Sequence, residues 1–157
     1  MVVVAHQHYK GTGQMHSFRG LLADGGQDKI RIEGATGEIA WRITKFQVMP
    51  TAAGTTESES TVLIFREKQT SVSDIVDFTN GELLGAAFFG SPASVAYGYG
   101  SASLITIFDN MLFSRNIYVT HTDTHGAVSM NYYIELKEVK VSAAGMAQLA
   151  VAAARRT

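Results

Sequence analysis

The segment HTDTH, from His121 to His125, places three side chains that can bind a metal ion within five residues. In an extended strand alternate side chains share one face, so His121, Asp123 and His125 could bind one divalent ion, above all where subunits meet on a symmetry axis. The alternative is a turn in which Asp123 and the threonines satisfy backbone groups while the histidines are exposed. Three ligands within a turn seldom converge, and we therefore predict that no metal is bound here.

His6 and His8 form a His-x-His pair, as found in the metal site of cupins. A cupin site also needs a carboxylate a few residues later, and Glu33 is the first glutamate of the chain. The ligand supply therefore excludes a cupin site. We predict that residues 1–13 form a polar N-terminal arm.

Two glycine-rich segments, Gly11–Gly13 and Gly98–Gly100, do not continue as phosphate-binding motifs. Both are predicted to be loops. Tyr97 and Tyr99, in the second loop, could stack on a sugar ring or pack at a protein interface, since aromatic residues are common in both kinds of contact.

Catalytic arrangements are not visible in the sequence. There is no nucleophile elbow, no histidine has a recognisable acid–base spacing, and the acidic residues are scattered over predicted turns and exposed strand faces. We therefore predict that the protein is not an enzyme. We also predict no catalytic, cofactor-binding or metal-binding residues, and no cofactor.

Composition narrows the class of protein further. The 157 residues fit one domain, which we place at residues 1–157. A net charge of −1 offers no general attraction to phosphate, so nucleic-acid binding is not expected. The chain has no cysteine for disulfides, the apolar run Val2–Ala5 is too short for a signal peptide, and no stretch could span a bilayer. We expect a protein that folds in a cytosol and does not bind membranes.

Apolar runs alternate with turn residues along the first third of the chain. Strands are predicted at Gln14–Ala23, Lys29–Glu33 and Glu38–Val48, separated by turns at Asp24–Gly26 and Gly34–Gly37. Parallel strands need long crossovers, so these short connections favour an antiparallel meander.

The third of these strands changes phase. Its apolar residues are odd-numbered as far as Ile43 and even-numbered from Phe46. A one-residue shift of this kind is typical of a β-bulge, which we predict near Thr44 and Lys45. Trp41 lies on the apolar odd face and is predicted to be in the core.

The middle of the chain contains further strands with less regular connections. Met49–Ser60 is predicted to cross from one sheet to the other, and Gly90–Ser101 to be a loop. Strands are predicted at Thr61–Phe65, Asp74–Phe78, Glu82–Phe89 and Leu104–Phe108. The first and last of these four are apolar on both faces, which favours strands covered on both sides.

The segment Met111–Val141 has the pattern of a hairpin. Two alternating runs flank a polar turn containing Asp123 and Gly126, and a second phase change predicts another bulge near Glu138. After the hairpin, Ser142 can cap a helix at Ala143–Ala154.

These elements define the predicted fold. About nine strands with bulges predict an all-β protein, an antiparallel β-sandwich that is jelly-roll-like, with a short C-terminal helix in the tail at residues 142–157. One face of that helix carries Met146 and Leu149, and an alanine-rich helix of this length needs to lie against the domain or a partner.

Two segments, Ala5–Pro50 and Phe108–Val141, resemble small structural proteins of marine tailed bacteriophages, which are known mostly as uncharacterised virion or capsid-associated proteins. Runs such as FDNMLFSRNIYVTH and NYYIEL carry the resemblance, and the tail after Ser142 is not part of it. The resemblance implies a virion component that is assembled in the host cytoplasm.

Within that class, β content, size and near-neutral charge favour a capsid decoration or cementing protein on the outside of the particle. We expect a homo-oligomer, namely a trimer, that binds the major capsid protein or other virion proteins. One alternative is the carbohydrate- or receptor-binding head of a phage fibre or spike, which would use Tyr97 and Tyr99. Another is a β-barrel enzyme that uses His6, His121 and His125.

Overall fold

The computed structural model describes residues 15–32, 39–52, 57–91 and 103–155, without the side chains of residues 103 and 152–155. The described residues form eight strands and one helix. The strands are β1 Met15–Leu22, β2 Gln27–Ile30, β3 Ile39–Pro50, β4 Ser58–Phe65, β5 Leu83–Ser91, β6 Ser103–Phe108, β7 Ile117–Asp123 and β8 Met130–Lys140, and the helix is α1 Ala143–Arg155. The predicted arm at residues 1–13, the turn at 34–37 and the loop with Tyr97 and Tyr99 lie outside the described residues.

The strands form two antiparallel sheets. One has the order β1-β8-β3, and the other has the order β2-β7-β4-β5-β6. The main apolar core contains residues of both sheets, among them Phe46 of the first and Ile64 of the second. The predicted all-β antiparallel sandwich with a C-terminal helix is therefore confirmed. The predicted meander is wrong, because β1, β2 and β3 alternate between the sheets and do not pair with one another.

The jelly-roll part of the prediction is not confirmed. An eight-stranded jelly roll orders its strands 1-8-3-6 in one sheet and 2-7-4-5 in the other. Here β6 pairs with β5 in the second sheet rather than with β3 in the first. The strand order is that of a jelly roll except for β6, and a complete jelly roll is not confirmed.

The predicted hairpin between β7 and β8 does not form. β7 pairs with β2 and β4, whereas β8 pairs with β1 and β3, so residues 124–129 cross from one sheet to the other. Val119 of β7 and Ile134 of β8 both belong to the core between the sheets. Alternation identifies the face that a strand buries but not the strand beside it, which is why the sequence pattern was read as a hairpin.

One of the two predicted bulges is present. The register of β3 against β8 shifts between Ile43 and Lys45, and the extra residue, Thr44, donates a hydrogen bond from Oγ1 to the carbonyl of Glu135 at 3.2 Å. The second bulge, near Glu138, is wrong, since the pairing of β3 with β8 stays regular there. Trp41, also on β3, is buried as predicted.

The other strand predictions have mixed outcomes. β4 is a central strand with Thr61–Phe65 buried on both faces, as predicted, and the connection from β3 to β4 does change sheets. Asp74–Phe78 is not a strand. β6 is an edge strand with Ile105 and Ile107 exposed, so the prediction that it is covered on both sides is wrong. A short apolar run looks the same in a central strand and in an exposed edge strand.

The helix begins as predicted, with the backbone N–H of Gly145 donating to Ser142 Oγ at 3.1 Å. Met146 and Leu149 are partly buried and line a small cavity of about 130 Å³ that also touches Phe113 of the sandwich. No helix in the described part of the chain is long and apolar enough to cross a membrane.

Candidate functional site

The metal-capable segment is divided by the sandwich itself. β7 alternates, so His121 and Asp123 lie on the same inward face as Ile117 and Val119, and His121 is 0% exposed. His125 lies beyond the strand and is exposed. The three side chains therefore do not face one ligand, and within the described ranges no group of three metal-capable side chains comes together.

His121 is the start of a buried chain of hydrogen bonds. Its Nδ1 lies 3.1 Å from the carbonyl oxygen of Leu22, and its Nε2 lies 3.1 Å from Ser60 Oγ. Ser60 Oγ lies 3.0 Å from Ser58 Oγ, which donates to Asp123 Oδ2 at 3.2 Å. Both serines are buried. Strands β4 and β7 thus hold a continuous chain of buried polar groups at one end of the interior.

A carbonyl oxygen only accepts hydrogen bonds, so His121 Nδ1 is the donor to Leu22. Ser60 Oγ lies within hydrogen-bond distance of both His121 Nε2 and Ser58 Oγ, and Ser58 Oγ donates to the Asp123 carboxylate. Two hydroxyl groups therefore link the imidazole of His121 to Asp123.

This chain contains the residue types of a nucleophilic triad without its geometry. In a triad the carboxylate holds the Nδ1–H of the histidine, which in turn activates the serine. Here the Leu22 carbonyl occupies that position, and Asp123 lies two serines away from His121. Ser60 is 0% exposed, so a substrate has no access to its hydroxyl. The chain of hydrogen bonds holds β4 against β7 and does not form a nucleophilic centre.

Asp123 also organises the crossing between β7 and β8. Its carboxylate accepts hydrogen bonds from four backbone N–H groups, those of Glu59, His125, Gly126 and Val128, at 3.1, 3.0, 3.4 and 2.8 Å. Burial opposes the charge, but these four donors outweigh it and hold the pKa of Asp123 below its usual value. The prediction that Asp123 satisfies turn backbone groups is confirmed.

The histidines of the segment differ. His125 is exposed as predicted, and its Nδ1 lies 3.4 Å from Glu59 Oε2 while its Nε2 lies 3.9 Å from Glu57 Oε1. The exposure predicted for His121 is wrong, because β7 continues through Asp123 and turns that ring into the interior. His6 and His8 lie outside the described residues.

A second buried carboxylate was not predicted. Asp28 Oδ2 accepts a hydrogen bond from the Tyr132 hydroxyl at 2.9 Å, and both residues are buried. Burial raises the pKa of Asp28 despite this bond, and burial together with the carboxylate raises the pKa of Tyr132. The Tyr132 ring lies over Gly20, where an added Cβ would come within 2.5 Å of the hydroxyl oxygen. This pair joins β2 of one sheet to β8 of the other.

His16 forms a third buried polar contact. Its Nε2 lies 3.0 Å from Glu138 Oε1, and its ring meets the edge of Trp41 at a centroid distance of 4.7 Å. β1, β8 and β3 are therefore linked by side chains as well as by backbone pairing. Like Asp28, His16 follows no motif that would mark it in the sequence.

Within the described residues, several exposed apolar side chains lie together at β6. Leu104, Ile105 and Ile107 are 56, 56 and 49% exposed, and Phe88, which pairs with Ile105, is 36% exposed. We call these four residues the apolar edge. β6 carries no charged side chain, and no described strand pairs with its outer side. Natural edge strands usually carry a charge, a proline or a bulge that prevents pairing with another chain.

No model of a known protein family matches the chain, and no curated protein matches it.

Proposed function

We propose that the protein is a virion structural protein that decorates or cements the outside of a phage capsid as a homo-oligomer. The observation that carries this proposal is the apolar edge, which offers both unpaired backbone groups and apolar side chains to a second chain. Strand addition at a sheet edge supplies main-chain hydrogen bonds, and the side chains add apolar burial of about 25 cal/mol per Å². The resemblance to phage structural proteins supplies the assignment to a virion.

The occupant of the apolar edge is a second copy of the chain. Two β6 strands can pair antiparallel about a two-fold axis, or β6 can bind another strand edge in a closed ring such as a trimer. β6 is uncharged, so neither arrangement brings like charges into opposition along the strand. The other sheet has an edge at β1, which carries Arg19 and is a poorer apolar partner.

The size of the apolar edge sets the strength of this contact. Six residues of strand are about 20 Å long. A stable interface buries roughly 800 Å² on each partner, which a single short strand does not supply. Self-association in solution should therefore be weak, and a shell that binds several copies would strengthen it by raising their effective concentration. This is the behaviour required of a protein that associates weakly when free and completes its assembly on a particle.

Sedimentation velocity of the free protein over a hundredfold range of concentration tests the self-association. We expect a concentration-dependent shift from monomer to oligomer that Ile105→Lys together with Ile107→Lys removes. Lys140→Gln changes an exposed charge at the end of β8 and serves as the control. Wild-type protein that stays monomeric at every concentration would contradict the proposed contact.

The virion assignment has its own test. Purified particles from the source should contain the chain by mass spectrometry, and cryo-electron microscopy should place it on the outer surface. Particles that contain none of it would overturn the assignment, even if the free protein self-associates.

A further inference from the structure

A groove that we call the polar groove lies along β2, at the edge of the five-stranded sheet opposite the apolar edge. Tyr118 alternates with the inward-facing Ile117 and Val119, so it faces outward, and Lys29 pairs with it on β2. The segment 68–72 forms one wall, and the end of β1 with the turn after it forms another. The groove has a volume of about 730 Å³ and a mixed lining, with polar residues Gln27, Lys29, Lys68, Gln69, Thr70 and Tyr118 and apolar residues Leu21, Leu22, Ala23 and Val72.

Two hydrogen bonds hold this wall against the sheet. Gln27 Nε2 donates to the carbonyl oxygen of Gln69 at 3.0 Å, and the backbone N–H of Gln69 donates to Gln27 Oε1 at 2.9 Å. One amide side chain thus satisfies both backbone groups of a single residue. The groove is therefore a built feature of the fold, with its wall fixed to β2.

The chemistry of the lining selects the ligand. The volume lies within the range of about 300–1,000 Å³ that small-ligand sites occupy. Gln69, Thr70 and Tyr118 supply amide and hydroxyl groups, which both donate and accept hydrogen bonds, and the Tyr118 ring adds an apolar face. Lys29 and Lys68 contribute two positive charges to a chain whose net charge is −1. Hydroxyl groups, an apolar ring face and a negative charge occur together in an acidic sugar.

Two further observations show which groups of the groove are free to contact a ligand. The backbone N–H groups of Gly25 and Gly26 at the groove already donate to His121 and Ala23, so these two groups are not free to bind an anion. The acidic residue of the lining, Asp28, accepts a hydrogen bond from the Tyr132 hydroxyl in the core and is itself buried. Recognition therefore falls to the other side chains, among which the partly exposed Lys29 and the exposed Lys68 carry the charge.

We propose that the polar groove binds an acidic oligosaccharide, with a carboxylate between Lys29 and Lys68 and a sugar ring against Tyr118. This site goes beyond the proposed assembly role and does not depend on it. β2 and β6 are the two edges of one sheet, four strand spacings or about 19 Å apart. A copy that pairs β6 with β6 at the apolar edge would leave the groove open, so a shell assembled in this way would present one such groove per copy.

The test is titration calorimetry with a panel of tetragalacturonate, sialyllactose and a hyaluronan hexasaccharide, with maltotetraose as the neutral probe and sodium sulfate as the plain anion. We expect at least one acidic sugar to bind and neither maltotetraose nor sulfate to compete with it. Lys29→Gln and Lys68→Gln should each weaken binding about tenfold, since a hydrogen bond to a charged group is lost. Tyr118→Leu should weaken it while leaving its salt dependence unchanged.

Lys45→Gln is the matched control, because Lys45 lies on the other sheet with its Nζ 5.7 Å from the Tyr133 ring centroid. Thermal melts establish that each variant is folded. Three results would overturn the proposal: no acidic sugar of the panel binds, sulfate competes as well as the sugars do, or the groove and control variants bind equally. Ile105→Lys with Ile107→Lys should bind sugar as the wild type does, so failure of the assembly proposal and failure of this one are distinguishable.

Discussion

Replacement of Asp123 by asparagine is the most direct test of the interior polar chain. The side chain keeps its shape and its Oδ1, which can still accept the backbone N–H groups of Glu59 and His125. In the wild type the N–H of Val128 donates to Oδ2 at 2.8 Å. In the variant the new amide NH₂ takes the place of Oδ2, so the N–H of Val128 faces a second donor. Two donors would oppose each other in a buried site, and the charge that strengthens the remaining bonds would be lost.

The size of the effect follows from these contacts. A hydrogen bond to a charged group contributes about 1.5–3 kcal/mol, and an unsatisfied buried donor costs about 1–3 kcal/mol. Since these terms are not additive, we expect Asp123→Asn to lower the free energy of unfolding by about 3 kcal/mol. For a domain of this size that corresponds to a decrease in Tm of roughly 6–12 °C. Urea unfolding and thermal melts at pH 7 measure both quantities.

The dependence on pH gives a second readout of the same variant. The pKa of Asp123 is lower in the folded state, so its charge contributes stability above the ordinary pKa of about 3.9, and this contribution is lost as the pH falls through the folded pKa. The difference between wild type and Asp123→Asn should therefore shrink in acid. Asp109→Asn is the control, because Asp109 is exposed and caps only the N–H of Met111, which an amide oxygen can also do. Equal stability of Asp123→Asn and Asp109→Asn at pH 7 would refute the reasoning.

Four further substitutions address the contact between Asp28 and Tyr132 and the two serines of the hydrogen-bond chain. Tyr132→Phe leaves the Asp28 carboxylate without its hydrogen-bond donor and should lower the free energy of unfolding by about 2 kcal/mol at pH 7. Burial already raises the pKa of Asp28 in the folded state, so protonation of Asp28 favours folding as the pH falls. Urea unfolding at pH 4 should therefore show a smaller cost of the substitution than at pH 7. Gly20→Ala forces a Cβ against the buried ring of Tyr132 and should lower the free energy of unfolding by about 1–3 kcal/mol. An unchanged Tm in thermal melts would mean that the ring can move aside. Ser60→Ala removes the partner of His121 Nε2 and should lower the free energy of unfolding by about 1–3 kcal/mol. Ser58→Ala should lower it less, because Asp123 keeps its four backbone donors. The reverse order of the two variants in thermal melts would contradict the hydrogen-bond chain.

The sequence predicted local features better than partnerships between strands. The bulge at Thr44, the cap at Ser142 and the burial of Trp41 each depend on a few neighbouring residues, and all three were predicted. The β7–β8 hairpin and the two-sided cover of β6 were wrong, because each depends on which strand lies alongside. Period-two alternation is identical in a hairpin and in two strands that face each other across a sandwich.

The functional features follow the same division. The role of Asp123 in the turn was predicted from its residue type, whereas the inward turn of His121 required knowing where β7 ends. The polar groove brings Lys29 and Lys68 together from β2 and from the segment after β4, with no motif that links them. A composite site of this kind is visible only after the chain has folded. The one available signal was the outward phase of Tyr118 on an otherwise buried strand.

The position of β8 in the middle of its sheet also determines when that sheet can form. β8 follows every other described strand in the sequence, yet it is the described strand with which both β1 and β3 pair, and Met15 lies opposite Lys137. During synthesis both strands must therefore wait for this partner until residues 130–140 have left the ribosome, although Trp41 of β3 can already bridge to Phe113. Closing such long loops makes folding slow and leaves strand edges available for misassembly. A pause before β8, or truncation within it, should trap chains whose second sheet has formed without the first.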